Sequence, residues 1–229
     1  MAKLRLGGKR SGGTYKTLSD VSDHMKLVGE SERLWGDNMR LQKGYVATGL
    51  SFDINEKLRG LEDGADVSKI DLGGTGDRNG FGRWDFNKVV QNMDELTSKP
   101  IIGNENRMLI RNVGTSWAEN ALGVTDLNQL TQLNFKGTKV TEKAFMSTST
   151  IASQNVFQGR PIQLQLETPK GSRGFVARNG SESEIVLPRN TQFRINNITY
   201  TNGTYVVKAK ILNTPNNSRG FAGEPLDRA

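Results

Sequence analysis

Hydrophobic positions change their spacing about halfway along the chain. Between Thr17 and about Gln42 they recur every three or four residues, and Leu18, Val21, Met25 and Val28 form one apolar stripe, the mark of a helix with one buried face. Ser31 followed by Leu34, Trp35 and Met39 predicts a second short helix with a serine start signal. Phe52, Ile54 and Leu58 predict a third, stopped by the glycine of Arg59-Gly60. Residues 60–83 contain Gly73-Gly74-Thr75-Gly76-Asp77-Arg78-Asn79-Gly80 and predict a long mobile loop. A helix from about Phe86 to Leu96 follows, with Val89, Val90 and Met93 on one side.

Beyond residue 100 the pattern is mostly that of strands. Met108-Leu109-Ile110 is a short apolar run ending on Arg111, and Phe145-Met146 runs into Ser147-Thr148-Ser149-Thr150. Ile162, Leu164 and Leu166 alternate with Gln163, Gln165 and Glu167, a period-two strand. Ile185-Val186-Leu187 reads as a central strand stopping at Pro188, Phe193 and Ile195 alternate again, and Tyr205 to Ile211 makes the last strand. Helices first and strands afterwards predict an α+β fold. The turn-rich stretch from Asn213 to residue 229 predicts a loose C-terminal tail.

Composition narrows the chemistry. The chain has 229 residues, 34% of them apolar, and a net charge of +7 with its histidine neutral. The absence of cysteine removes disulfide scaffolds, thiol nucleophiles and cysteine-based zinc sites. One histidine, His24, leaves no room for a Ser-His-Asp triad or a two-histidine metal site, and its polar neighbours Ser22, Asp23 and Lys26 predict a surface position. No run approaches the roughly 20 apolar residues of a membrane helix, and the N-terminus lacks the apolar stretch of a signal peptide. Residues 1–19 carry Lys3, Arg5, Lys9, Arg10 and Lys16 with no acidic residue, interspersed with glycines. They predict a flexible basic arm, a solvated tail first and a weak nucleic-acid contact second.

Four features then stand out: Arg111 at the end of an apolar run, the hydroxyls of Ser147, Thr148 and Ser149, Arg160 in a downstream loop, and Glu182-Ser183-Glu184 before a strongly apolar strand. On extended backbone Glu182 and Glu184 point to the same face. Singly, each has an ordinary reading as a rim charge, a strand-end turn or a solvated loop.

Together and in this order they resemble the R-S-E class of ADP-ribosyltransferases, the arm of that superfamily that includes clostridial binary toxins and phage-encoded enzymes. The resemblance runs from the Tyr45 region to about Leu212. Asn55-Glu56-Lys57-Leu58-Arg59 is similar to the family's N-terminal helix, Met108 to Arg111 to its arginine strand, and Phe145-Met146-Ser147-Thr148-Ser149 to its aromatic-x-Ser-Thr-Ser strand. Ser181 to Pro188 is similar to its Glu-x-Glu strand. The chain departs from the pattern in two places. Asn112 follows Arg111 where the family commonly has glycine or arginine, and Asn179 stands where some members place an aromatic.

The resemblance implies two small packed mixed sheets with helices at the N-terminal side. It implies a basic arm with short helices over 1–42, a catalytic domain over 43–212 and a tail over 213–229. It also implies a metal-free monomer that uses NAD as substrate and transfers ADP-ribose to an arginine of a target protein. Arg111 and Arg160 would hold the pyrophosphate, with Ser147, Thr148 and Ser149 lining the NAD site and Phe157 packing on the nicotinamide. Glu184 would stabilise the ribose cation as the glycosidic bond breaks, Ser147 would orient Glu184, and Glu182 would receive the guanidinium nucleophile. Glu-x-Glu in this family goes with arginine as acceptor, Gln-x-Glu with others. Phe175, Arg178 and Asn179 fall in the acceptor-recognition turn. Such enzymes act in the cytoplasm of a host or target cell, on transcription, translation or cytoskeletal proteins, as virion-packaged phage proteins or as secreted effectors. The competing expectations are an NAD glycohydrolase at the same site and a catalytically decayed nucleic-acid or virion-associated binding protein.

Overall fold

The computed structural model describes residues 14–46, 49–75, 83–154, 156–178 and 182–219. Most of the basic arm, the stretch 76–82 of the glycine-rich loop, Asn179 to Ser181 and the last ten residues of the tail lie outside the described residues. Helix α1 (Val21–Trp35) starts at Asp20, whose carboxylate accepts the Asp23 N–H, and stops at Gly36, where φ is 51°. That backbone conformation favours glycine. The buried face of α1 is His24, Leu27, Val28, Ser31 and Trp35. Val21 and Met25, assigned to the apolar stripe, are 36% and 44% exposed, whereas His24, expected at the surface, is 0% exposed. The stripe is displaced because two of the inward positions are polar and make hydrogen bonds, so apolar spacing alone reports the wrong face. Leu27, Val28 and Trp35, at roughly 2 kcal/mol each, hold α1 on the molecule.

A 3-10 turn (Gly36–Gln42) continues into α2 (Lys43–Val46), followed by α3 (Ser51–Arg59) and a short 3-10 turn at Val67–Lys69. Strands β1 (Gly74–Thr75) and β2 (Trp84–Asp85) pair antiparallel and lead into α4 (Phe86–Leu96). The bounds of α4 are those expected, and Asp85 caps it by accepting the Lys88 N–H.

The second half holds β3 (Arg107–Val113), α5 (Thr115–Leu122), α6 (Gln129–Gln132), β4 (Lys139–Glu142), β5 (Met146–Ser149), β6 (Ile162–Thr168), β7 (Phe175–Val176), β8 (Glu184–Leu187), β9 (Thr191–Thr201) and β10 (Thr204–Asn213). Arg111 lies inside β3 rather than at its end, because Asn112 and Val113 continue the pairing with β6. Strands β4 and β7 and helices α5 and α6 go beyond the sequence expectations. The two strands are too short to show a period, and α5 depends on Trp117, Ala118, Ala121 and Leu122 packing under the sheet.

The larger sheet runs β4-β9-β10-β6-β3-β5-β8-β7. Every neighbouring pair is antiparallel except β10 with β6, which makes the sheet mixed. Between β3 and β5 a single pair, Ile110 opposite Ser149, is in register. Two halves of five and three strands therefore hinge on one residue pair, the form that the two expected sheets take here. One core lies where both halves meet α1, α5 and α6, with Leu109, Leu164 and Phe193 from one half and Met146, Ile185 and Leu187 from the other. The second core lies where α2, α3 and α4 cover the outer face of β5-β8-β7, through Tyr45, Ile54, Leu58, Phe86 and Met93 against Phe145, Phe175 and Val186.

Residues 213–219, expected to be loose, are tied down. Thr214 Oγ1 accepts the Arg173 N–H at 2.7 Å, and Asn217 Nδ2 donates to the Arg189 carbonyl at 2.9 Å. Among the described residues no helix is long and apolar enough to cross a membrane.

Candidate active site

The hinge between β3 and β5 is where the candidate residues converge. With the ladder open beyond one pair, the Arg111 side chain enters the gap and its Nη1 donates to the Ser147 carbonyl at 2.7 Å. Burial pushes the Arg111 guanidinium below its ordinary pKa, Glu142 and Tyr45 pull it back, and the positive charges of Arg59 and Arg160 push it further down. Its Nε is buried without a hydrogen-bond partner. A partly buried guanidinium with an open donor, and a second guanidinium whose charge acts on it, fits a dianionic pyrophosphate.

Tyr45 organises the other side. Its ring is buried and lies 5.5 Å from Phe145, edge to face. The Asn55 side-chain Nδ2 donates to its hydroxyl at 2.7 Å, and Asn55 Oδ1 accepts the Phe145 N–H at 3.2 Å. Burial pushes the Tyr45 phenol up to about 12, with the Asn55 hydrogen bond, the Arg111 charge and a Ser147 side-chain hydrogen bond opposing, and the Glu184 carboxylate adding to the rise. The phenol is therefore neutral. It accepts from the Asn55 amide and from the Ser147 hydroxyl. The opposite charges of Arg111 and Glu184 thus both act on one tyrosine hydroxyl that Ser147 also bonds.

Glu184 opens β8 and is buried, and its Cα partner across the ladder is Ser149. Ser147 sits two residues further along, opposite Val186, so it reaches the Glu184 neighbourhood through Tyr45 rather than by facing it across the ladder. Thr148 and Ser149 use their hydroxyls on backbone carbonyls, Thr148 donating to Ile185 at 2.7 Å and Ser149 to Ile151 at 2.8 Å.

Glu182 and Glu184 are not on a common extended strand. Ser183 between them has φ 46° and is fully buried, so Glu182 stands in the turn before β8. The same-face arrangement of an extended dipeptide does not hold here, because the turn must first deliver the chain to its pairing with β5.

The loop after β5 carries Phe157 at φ 60° and 46% exposed. The Arg160 guanidinium lies 3.9 Å over its ring, and Phe52 of α3 meets the same ring edge-on at 5.9 Å. Asn112, the departure noted beside Arg111, donates through Nδ2 to the Val156 carbonyl at 3.2 Å and tethers this loop to β3. Arg160 Nη1 reaches the Asn112 carbonyl at 3.5 Å.

In the acceptor turn Phe175 is 0% exposed and packed in the second core, so it cannot touch a target protein. It is claimed by the core because it stands on β7 opposite Val186. Arg178 is exposed and pairs with Glu32 of α1 at 3.3 Å. Asn179 lies outside the described residues.

Tyr45 and Glu142 join the site without a motif marking them in the sequence, and Asn55 and Arg59, read there only as part of the family's N-terminal helix, gain their partners from the fold. Arg59 Nε donates to the largely buried Glu142 carboxylate at 2.9 Å. The available signal was Asn55, a polar residue on the apolar side of α3 beside Ile54 and Leu58. Among the described residues no cluster of three His, Asp or Glu side chains is arranged to hold a metal ion.

The model of a family described as ADP-ribosyltransferase exoenzyme matches residues 45–214. No curated protein matches the chain. Among solved structures, C3stau2 from S. aureus with NAD superposes with a TM-score of 0.68 at 18% identity, covering 88% of this chain and 100% of that one. An ADP-ribosyltransferase from Clostridium botulinum gives 0.64 at 21% identity, covering 86% and 98%. The ADP-ribosylating toxin BECa of a binary enterotoxin of C. perfringens, with NADH, gives 0.58 at 19% identity, covering 87% of this chain and 50% of that one.

Proposed function

Because the chain belongs to the ADP-ribosyltransferase exoenzyme family, we propose that it transfers ADP-ribose from NAD to an arginine of a target protein and releases nicotinamide. The observation that carries this reading is Arg111 seated on the Ser147 carbonyl in the gap between β3 and β5, with Glu184 buried at the start of β8, the strand paired with β5. Arg111 and Arg160 hold the pyrophosphate, the first from a position fixed by its bond to the Ser147 carbonyl and the second from a loop. Phe157 leaves Arg160 to pack on the nicotinamide when NAD binds.

The bond between nicotinamide nitrogen and ribose C1′ then breaks, and its electron pair leaves with the nicotinamide. Positive charge develops on the ribose, where the Glu184 carboxylate stabilises it. A guanidinium nitrogen of the acceptor forms the new bond to C1′ and gives its proton to Glu182. The products are ADP-ribosyl-arginine, nicotinamide and one proton. Glu182 supports arginine as acceptor, since resembling enzymes with other acceptors carry glutamine at that position. Ser147 positions Glu184 through Tyr45. No step calls for a metal ion. The family's exoenzymes and the toxins among the similar structures support action on a protein of another cell.

Labelled NAD incubated with bacterial and eukaryotic lysates, and separately with agmatine as a small guanidino acceptor, tests the reading. The expected result is discrete labelled proteins and labelled agmatine with the wild type. Both should be lost, by about 100-fold or more, in Glu184→Ala. Glu182→Ala should lose transfer but keep slow nicotinamide release. Nicotinamide release with no labelled acceptor in any mixture points to an NAD glycohydrolase. Absence of both activities would leave a decayed binding protein.

A further inference from the structure

Helix α1 precedes the residues matched by the family model, yet its buried polar side chains run to the backbone of the acceptor turn. Ser31 Oγ donates to the Val176 carbonyl at 3.2 Å, on β7, two residues before Arg178. Gln42, at the end of the 3-10 turn after α1, accepts the Arg178 N–H through Oε1 at 2.9 Å. Glu32 takes the Arg178 side chain at 3.3 Å. His24 Nδ1 is 3.1 Å from Thr150 Oγ1, and Thr150 donates both its N–H and its hydroxyl to the Ser183 carbonyl, at 3.0 and 3.2 Å. Ser183 is the buried, left-handed residue between the two glutamates.

Both ends of the turn are therefore held from α1 and the 3-10 turn that follows it. The entry, Val176 to Arg178, is held by Ser31, Glu32 and Gln42. The exit, at Ser183, is held by His24 through Thr150. A left-handed serine persists where surrounding bonds over-determine it, and the Thr150 bonds supply that constraint. None of these α1 groups is among those gathered around Tyr45 where NAD is placed.

We propose that α1 and the 3-10 turn after it form a buttress that positions the described ends of the acceptor turn, Val176 to Arg178 and Glu182 to Ser183, so that they govern transfer to the acceptor and leave NAD binding and cleavage unchanged. The proposal rests on the arginine-transferase reading above. Ser31, Gln42 and His24 are positioning residues that act through the turn backbone, and no part of them touches NAD.

The test compares Ser31→Val and Gln42→Leu with the conservative Gln42→Glu, which keeps an acceptor oxygen for the Arg178 N–H. Each full-length variant is assayed for NAD KM, for nicotinamide release without acceptor, and for ADP-ribose transfer to agmatine and to polyarginine. Ser31→Val and Gln42→Leu are expected to lose transfer about tenfold or more, because small displacements of a reacting group are costly. NAD KM and hydrolysis should stay within about twofold. Gln42→Glu should recover most of the transfer. Parallel loss of transfer and hydrolysis in Ser31→Val and Gln42→Leu overturns the proposal, as does unchanged transfer in both or the absence of rescue by Gln42→Glu. Failure of the wild type to label either acceptor rejects the arginine reading instead, so the two failures are distinguishable.

Discussion

Tyr45 shows how much one buried hydroxyl decides. It accepts from Asn55 and bonds Ser147, and it lies within the fields of Arg111 and Glu184. Removing it leaves the Asn55 amide buried with an unmet donor, a cost of about 1–3 kcal/mol. It also frees the Ser147 hydroxyl to rotate. Tyr45→Phe is expected to lower kcat about tenfold with little change in NAD KM, because a group that positions Glu184 acts on the bond-breaking step. Steady-state nicotinamide release measured against NAD concentration checks this, and a rise in KM at constant kcat would assign Tyr45 to binding instead. At this scale the motif residues Arg111, Ser147 and Glu184 were legible, since side-chain types in order along the chain are read directly from sequence. The roles of Tyr45, Asn55 and Asn112 were not, since each depends on a partner 10 to 90 residues away.

At the scale of the element, α1 is the informative case. Its apolar residues define a stripe, yet the face that turns inward includes His24 and Ser31. Burial pushes His24 down to about 4 from 6.5, against a weaker upward pull from the Ala177 backbone, with the Arg107 charge also lowering it. The unfolded chain therefore binds a proton between about pH 6.5 and 4 that the folded chain does not. Stability from this group is fully present above pH 6.5 and falls as pH drops through 4, by roughly 3 kcal/mol in total. Urea denaturation between pH 7 and pH 4 should show this fall, and His24→Asn, which keeps a donor for Thr150, should flatten it. An unchanged slope in His24→Asn would mean that other groups carry the acid sensitivity. Helix α4, by contrast, matches its sequence prediction to the residue. Its buried positions are apolar (Phe86, Val89, Val90, Met93 and Leu96) except for Asp94, which is paired with Arg189, and Asp85 marks its start.

The whole molecule is two half-sheets meeting at one registered pair, and what joins the helical layer to them lies partly in ion pairs. Arg189, after β8, meets Asp94 of α4 through Nε and Nη2 at 2.9 to 3.1 Å, with both side chains largely buried. Breaking a buried pair from one side strands the other charge, so Asp94→Ala should cost about 3–5 kcal/mol of stability. Chemical denaturation measures it, and a loss below about 1 kcal/mol would show the pair to be peripheral. The order of helices and strands, the α+β class and the family signature followed from sequence alone, because apolar period and short motifs are local properties of the chain. The hinge at Ile110 and Ser149, the gap that Arg111 fills, the turn that separates Glu182 from Glu184 and the inward face of α1 belong to the tertiary structure. Each depends on which distant backbone carbonyl or N–H a side chain meets, and no local pattern carries that information.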